Sequence, residues 1–407
     1  MVFKEKKIAF LITSVCIAAI LSMLSFSLWP VFLIQLGETW KLSNTDIGLI
    51  SWAYFIGYVV ATPVLVGLTD TVDAKRIFLG GCSFGIVGCL SFTFLAEGFW
   101  LAFLSWGLVG AGLAGTYMPG LQILNARLTG IARIKAVPWY TSCFGIGTGF
   151  SFSLMGYLLV YFNHELAALA GAIGSFISAV IILICVPQNK KSKNTYYKSR
   201  HPLDLRPAFS KPLAMGYILS YGAHTFELFA YRSWSFALFV FLGKFNNSTI
   251  SFSTIANILT LITLTGMVAS IIGARLCLNY KRSYVICLVG FFTFCIAIAS
   301  AIALNFSLWV TVGILWIYNM AIMLDSGALT AGSVEASNDN DRGAVLAVHS
   351  MIGFLGGALG GPIVGLVLDL SGGAEEYNSW FWAILAMGVG SLIVFLIQLK
   401  FWNNNRT

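Results

Sequence analysis

QNKKSKNTYYKSRHPLDLRPAFSK, residues 188–211, is the one long polar stretch in a chain of 407 residues that is otherwise 58% hydrophobic and 10% charged. It holds Lys190, Lys191, Lys193, Lys198, Arg200, Arg206 and Lys211, and Pro202 and Pro207 break it, so it reads as a linker. Six apolar runs precede it (8–35, 45–68, 77–95, 99–123, 137–161, 166–187) and six follow it (213–242, 251–274, 284–304, 308–332, 344–368, 379–399). Each approaches the roughly 20 residues that a helix needs to cross a bilayer. The runs are continuous rather than short and alternating, which favours helices over a β-barrel. A soluble domain carries about 25% charged residues, far more than this chain. With a mean hydropathy of +0.85, the sequence is that of an all-α integral membrane protein with twelve spans.

The basic residues orient it. Apart from the linker and the amino-terminal Lys4, Lys6 and Lys7, they follow even-numbered spans: Lys75 and Arg76; Arg127, Arg133 and Lys135; Arg275, Lys281 and Arg282; Arg342; Lys400 and Arg406. Only Lys41 and Lys244 fall in loops on the other side, and Arg232 lies inside a span. Cationic loops stay cytoplasmic during insertion, so both termini are expected in the cytoplasm. The net charge of +8 then reflects topogenesis and attraction to anionic lipid, not nucleic acid. Eight cysteines (Cys16, Cys82, Cys89, Cys143, Cys185, Cys277, Cys287, Cys295) form no CxxC pair, so neither a metal site nor a disulfide framework is indicated. The first apolar run is too long for a signal-peptide core and lacks a small-residue cleavage site. Trp29 and Pro30 are expected to bend its outer part.

A six-plus-six division invites a search for duplication. Gly67 through Lys75 and Arg76, after span two, aligns with Gly273 through Lys281 and Arg282, after span eight; Gly145 and Gly149 in span five align with Gly353 and Gly357 in span eleven. Both matches fall at nearly one offset, about half the chain. The domains predicted are a six-helix bundle over 1–187, the linker over 188–211 and a second bundle over 212–407.

This layout, with a charged turn between spans two and three, resembles the major facilitator superfamily (MFS). The family's loop signature is Gly-x-Leu-x-Asp-Arg-x-Gly-Arg-(Arg/Lys). Leu68, Asp70 and Lys75 match it; Val66 stands at the first glycine, Thr71 at the basic position, Asp73 at the second glycine and Ala74 at the following arginine, with Arg76 just beyond. The resemblance implies two pseudo-symmetric six-helix bundles and a conformational latch. Asp70 would be the latch carboxylate, Arg127 and Arg133 its partners, and Asp73, Lys75 and Arg76 the rest of the turn. A carboxylate at a helix amino terminus gains about 0.3–1 kcal/mol. In span eleven, Gly357 to Gly365 matches the family's antiporter pattern, but that pattern belongs in span five, which has no proline after its glycines. Close helix packing reads it better.

Span seven carries the chemistry. Tyr217, Tyr221, His224, Glu227 and Tyr231 fall within about 60° of His224 on a helical wheel, with Arg232 at the margin near 80°. Ionisable groups deep in a span cost roughly 2.5–3.5 kcal/mol on insertion scales, so they mark function. His224 and Glu227, at i and i+3, are placed to share a proton. Burial disfavours a carboxylate's charge and a nearby cation favours it, so Glu227 assisted by His224 is a candidate proton-coupling site. Arg232 is either its counter-ion or an anchor for anionic substrate, and a purely structural polar network is the competing reading. The resemblance adds cavity candidates in spans four and ten: Tyr117, Gln122, Tyr318, Asn319 and Asp325. His349 reads as a packing or gate histidine.

These features point to a secondary transporter, working by alternating access on a small organic solute, anionic or zwitterionic, with protons as the coupling ion and uptake preferred. Proton-driven efflux and a non-transporting receptor remain open. No Walker-type loop or nucleophile constellation is present, so ATP-driven pumping, enzymatic activity and cofactors are not expected. A monomer in a bacterial cytoplasmic (inner) membrane is expected.

Overall fold

The computed structural model describes residues 2–69, 71–188, 205–338 and 342–404, and every element among them is a helix. In the first half these are α1 (Val2–Ser22), α2 (Leu28–Trp40), α3 (Asn44–Leu68), α4 (Ala74–Leu95), α5 (Phe99–Arg127), α6 (Gly130–Tyr161) and α7 (His164–Cys185). The rest are the short α8 (Arg206–Phe209), then α9 (Pro212–Phe245), α10 (Phe252–Asn279), α11 (Arg282–Ala303), α12 (Leu308–Met323), α13 (Ser326–Glu335), α14 (Arg342–Leu370) and α15 (Tyr377–Asn404). Ten of these segments, counting α12 and α13 as one, are long and apolar enough to cross a membrane. Most of the polar linker, and Asp70, lie outside the described residues.

The first apolar run is two helices, and its break precedes the expected place. Residues 23–27 turn tightly, with Phe26 N bonded to Met23 O and Leu28 N to Ser25 O, both at 2.9 Å. Pro30 instead sits in the first turn of α2, where a missing N–H leaves nothing unpaired. A hydroxyl from α6 supplies the partners that the break takes away. Ser27 N donates to Ser151 Oγ at 2.8 Å, and Ser151 Oγ donates to Leu24 O at 2.6 Å.

The chain forms two compact units. One comprises Met1–Phe32 with Ala53–Arg200, the other Leu33–Trp52 with His201–Thr407. In the first, α1, α4, α5, α6 and α7 meet over a core that includes Val15, Phe78, Ile123, Tyr140 and Ile182. Its helices approach closely through glycine: a Cβ at Gly110 would overlap the Tyr54 carbonyl oxygen, and one at Gly81 would lie 2.5 Å from the Gly115 carbonyl carbon.

The second unit includes the start of α3. A capping box opens α3: Ser43 Oγ donates to Asp46 Oδ2 at 2.7 Å and accepts from Asp46 N at 3.1 Å. Asp369, at the far end of α14, adds a remote cap. Its carboxylate accepts from Asn44 N (3.0 Å), Asn44 Nδ2 (2.8 Å), Thr45 N (2.8 Å) and Thr45 Oγ1 (2.6 Å). The glycine stripe of span eleven serves two contacts. Gly353, Gly356, Gly357 and Gly360 lie against α9, while Gly361 and Gly365 lie against residues 44–51.

Candidate functional site

Helix α9 presents three faces to its neighbours, and these determine the partners of its ionisable groups. Toward α14, glycines strip away side-chain bulk, so a Cβ at Gly356 would overlap Gly222 O and one at Gly357 would lie 2.5 Å from the Phe229 ring. Thr225 Oγ1 donates across this contact to Gly353 O at 2.6 Å, and Trp234 Nε1 to Gly361 O at 2.9 Å. Toward α12 and α15 the contact is polar. Tyr318 on α12 donates to Glu227 Oε1 at 2.6 Å, Ser391 on α15 donates to the same oxygen at 3.2 Å, and Tyr231 donates to Leu315 O at 3.2 Å. Glu227 is 1% exposed. Its carboxylate therefore sits between two hydroxyls, and no cation among the described residues forms an ion pair with it.

His224 has a different partner. Its Nδ1 lies 2.7 Å from Asp325 Oδ1. Asp325 stands where span ten breaks between α12 and α13, a turn tightened by the Leu324 N to Ala321 O bond at 3.2 Å. The carboxylate thus ties the break to α9. Beside this pair, Tyr221 stacks on His349 of α14 with ring centroids 3.9 Å apart at 18°, and on His224 at 5.7 Å and 20°. His349 Nε2 lies 3.2 Å from Thr330 Oγ1 on α13, while His224 Nε2 and His349 Nδ1 are buried without a partner.

No hydrogen bond joins His224 to Glu227, and no ion pair joins Arg232 to Glu227, among the described residues. The i, i+3 spacing puts His224 and Glu227 about 60° apart, enough for each to turn to a different helix; Glu227 and Arg232 are about 140° apart and point away from each other. Arg232 is buried, with its guanidinium carbon 5.8 Å from the centre of the Phe229 ring. Asn319 is turned to the backbone, donating to Ile262 O at 3.0 Å. Tyr117 stacks on Tyr140 at 5.8 Å, and Gln122 is exposed. Both belong to the other unit. Ser391 and Thr330 carry no signal in the sequence, because a hydroxyl in an apolar run resembles any other small residue.

The turn after α3 forms a second polar site. Asp73 caps α4 by accepting from Lys75 N at 3.1 Å, and both its oxygens accept from Arg127 at 3.0 Å. Arg127 also donates to Pro187 O at 2.8 Å, and Lys75 Nζ to Val186 O at 2.6 Å and Leu183 O at 2.9 Å. Two cations therefore satisfy the carbonyls at the carboxyl end of α7, where the helix dipole is negative. Arg133 bonds Asn125 at 3.1 Å instead, and Arg76 is exposed. In the second unit Arg282 donates to both oxygens of Glu335 at 2.6 and 2.8 Å. This pair joins the corresponding turn and helix end, but through different residues, since in the alignment of the halves Arg282 falls opposite Arg76 and Asp73 opposite Asn279.

The Major Facilitator Superfamily sequence model matches residues 15–337. The chain belongs to that family. Over 120 residues it is 28% identical to human protein spinster homolog 1, a match covering 28% of this chain and 22% of that relative; the rat protein matches at 27% over 125 residues. The chain thus spans less than a quarter of the length of these curated relatives. Its fold is similar to the inward-facing, unoccupied crystal structure of a bacterial homolog to the human lysosomal transporter Spinster, with a TM-score of 0.78, 14% identity and 98% of each chain covered. It is also similar to the nucleoside transporter NupG, at 0.72 and 17%, covering 96% of this chain and 99% of that one. The MFS transporter fold and the membrane location follow, and a transporter rather than an enzyme is indicated.

Proposed function

We propose that this protein takes up a small organic solute by proton symport through alternating access. The observation that carries the reading is Glu227: a carboxylate 1% exposed, held by two hydroxyls and by no cation. A lone charge inside a span is costly, so the state of such a group depends on whether water reaches it. Alternating access changes that hydration, and a proton is the ion that compensates it. His224 and Asp325 would carry the change onward, because they tie α9 to the break in span ten. The α1–α2 pair and α9 complete twelve spans with ten others, both termini face the cytoplasm, and the protein acts as a monomer in a bacterial inner membrane. The Asp73–Arg127 turn serves as the cytoplasmic latch, a role the resemblance assigns to Asp70.

The test is flux in proteoliposomes under an imposed proton gradient, with a metabolite selected because it raises the melting temperature of the purified protein. Uphill accumulation that collapses with the gradient is expected. Accumulation by Glu227→Gln with an unchanged pH profile would refute the coupling role.

A further inference from the structure

Arg232 is 5% exposed and has no anionic partner among the described residues. None of the ion pairs among the described residues involves it, and its Nε lacks any hydrogen-bond acceptor. Its neighbours on α9 are otherwise engaged: Tyr231 donates to Leu315 O, and Trp234 to Gly361 O. Of the two carboxylates buried in this region, Glu227 accepts from Tyr318 and Ser391, and Asp325 Oδ1 lies 2.7 Å from His224 Nδ1. Arg232 is therefore a permanent cation held deep in an apolar helix beside one aromatic ring. A cation–π contact contributes about 0.5–2 kcal/mol, well short of what desolvating a charge costs.

A charge that the chain itself leaves uncompensated needs its counter-ion from outside. On a helical wheel Arg232 falls about 20° from Thr225, which bonds α14, and about 100° from Tyr231, which bonds α12. We infer that Arg232 is the binding group for an oxyanion of the transported solute, a carboxylate or a phosphate, held by the planar guanidinium through paired N–H donors. The inference rests on the transporter reading but not on proton coupling. It separates two roles that the sequence leaves together, because the geometry gives Glu227 other partners and leaves Arg232 free for substrate. A nucleoside, the kind of solute carried by one structural relative, has no such anion.

Thermal unfolding of the full-length protein in detergent tests this with four probes: benzoate, phenyl phosphate, benzamide and uridine. At least one anion should raise the melting temperature, by roughly 2–4 °C near saturation, while the neutral benzamide and uridine do not. Arg232→Gln should abolish the shift and Arg232→Lys should retain part of it. Unliganded Arg232→Gln should melt no lower than wild type, because it removes an unpaired charge; a large drop would mark a structural arginine and overturn the assignment. So would a shift from a neutral probe equal to that from the anions, no shift from either anion, or a shift that survives Arg232→Gln. An anion shift accompanied by proton-independent flux would sink the symport reading and leave this one standing.

Discussion

The two units of this transporter share a fold pattern and differ in what they bury. In the first, the buried polar side chains are hydroxyls such as Ser105, Thr116, Thr148, Ser151 and Ser178, with Lys75 at the start of α4. In the second they include His224, Glu227, Arg232, Asn319, Asp325, His349 and Gln398. Hydroxyls in a span can satisfy themselves on the preceding turn, as Thr116 does on Gly112 O at 3.0 Å and Thr148 on Phe144 O at 2.8 Å, or reach a neighbouring helix, as Ser178 does at Ala18 O at 2.7 Å. Ionisable groups lack the first option and must recruit other helices. The difference separates a unit whose buried polar groups are mainly hydroxyls from one that also buries ionisable side chains.

The largest expected effect breaks that asymmetry at its centre. Glu227→Gln should lower gradient-driven accumulation on the order of 100-fold, a loss typical of removing a positioned proton-transfer group. Ser151→Ala, which removes a buried polar group of the first unit, should leave the proton dependence intact while lowering thermal stability. Flux against external pH for both variants makes the check. A flattened pH profile in Ser151→Ala would show that the first unit is not inert.

The ion pairs at the two corresponding turns come next. Asp73 and Arg127 have side chains 10% and 7% exposed, whereas Glu335 is 67% exposed opposite Arg282 at 13%. Arg127→Ala leaves a mostly buried carboxylate and strands the carbonyl of Pro187, so a loss of about 3 kcal/mol is expected. Glu335→Ala should cost well under 1 kcal/mol after solvent screening. Denaturant unfolding in detergent compares them, and equal losses would remove the distinction between the two turns.

The repeat itself can be tested at one glycine pair. Gly67 and Gly273 are equivalent in the sequence alignment of the halves, yet a Cβ at Gly67 meets nothing within 4 Å, while one at Gly273 overlaps the Leu324 carbonyl oxygen at the break in span ten. Gly273→Ala should therefore cost about 1–3 kcal/mol and slow transport, because backbone cannot step aside as a side chain can. Gly67→Ala should be neutral to slightly stabilising in a helix.

Much of this architecture is legible in the amino-acid sequence. Apolar run length and the segregation of Lys and Arg locate the spans, since insertion physics acts on the linear chain. The polar face of span seven is visible for the same reason: periodicity is local. What stays hidden depends on neighbouring helices. Whether Glu227 meets His224 or Tyr318 is decided by a residue 91 positions away, and spacing along one helix carries no record of it. Trp29 and Pro30 draw the expected bend because proline is the familiar breaker, yet this proline sits where a helix tolerates one and the chain turns at residues 23–27 instead. At the turn after α3, the resemblance directs attention to Asp70, which lies outside the described residues, and Asp73, standing where the signature has glycine, pairs with Arg127.

The smallest effect concerns how a carboxylate caps α3. Asp46 does so locally, through Ser43, whereas Asp369 reaches the same helix end from α14 through four bonds. Both lie at an exposed helix terminus, so each should contribute only about 1 kcal/mol. Their consequences for function should nevertheless differ. Asp46→Ala loosens one turn, and α3 keeps its remote cap. Asp369→Ala removes what holds residues 44 and 45 to α14, although the glycine contacts at Gly361 and Gly365 stay in place. Cysteines introduced one at a time at Asn44 and Asp46 should therefore react faster with a membrane-impermeant maleimide in Asp369→Ala than in the parent. Unchanged labelling would show that glycine packing alone holds this end of α3 and that Asp369 is only a cap.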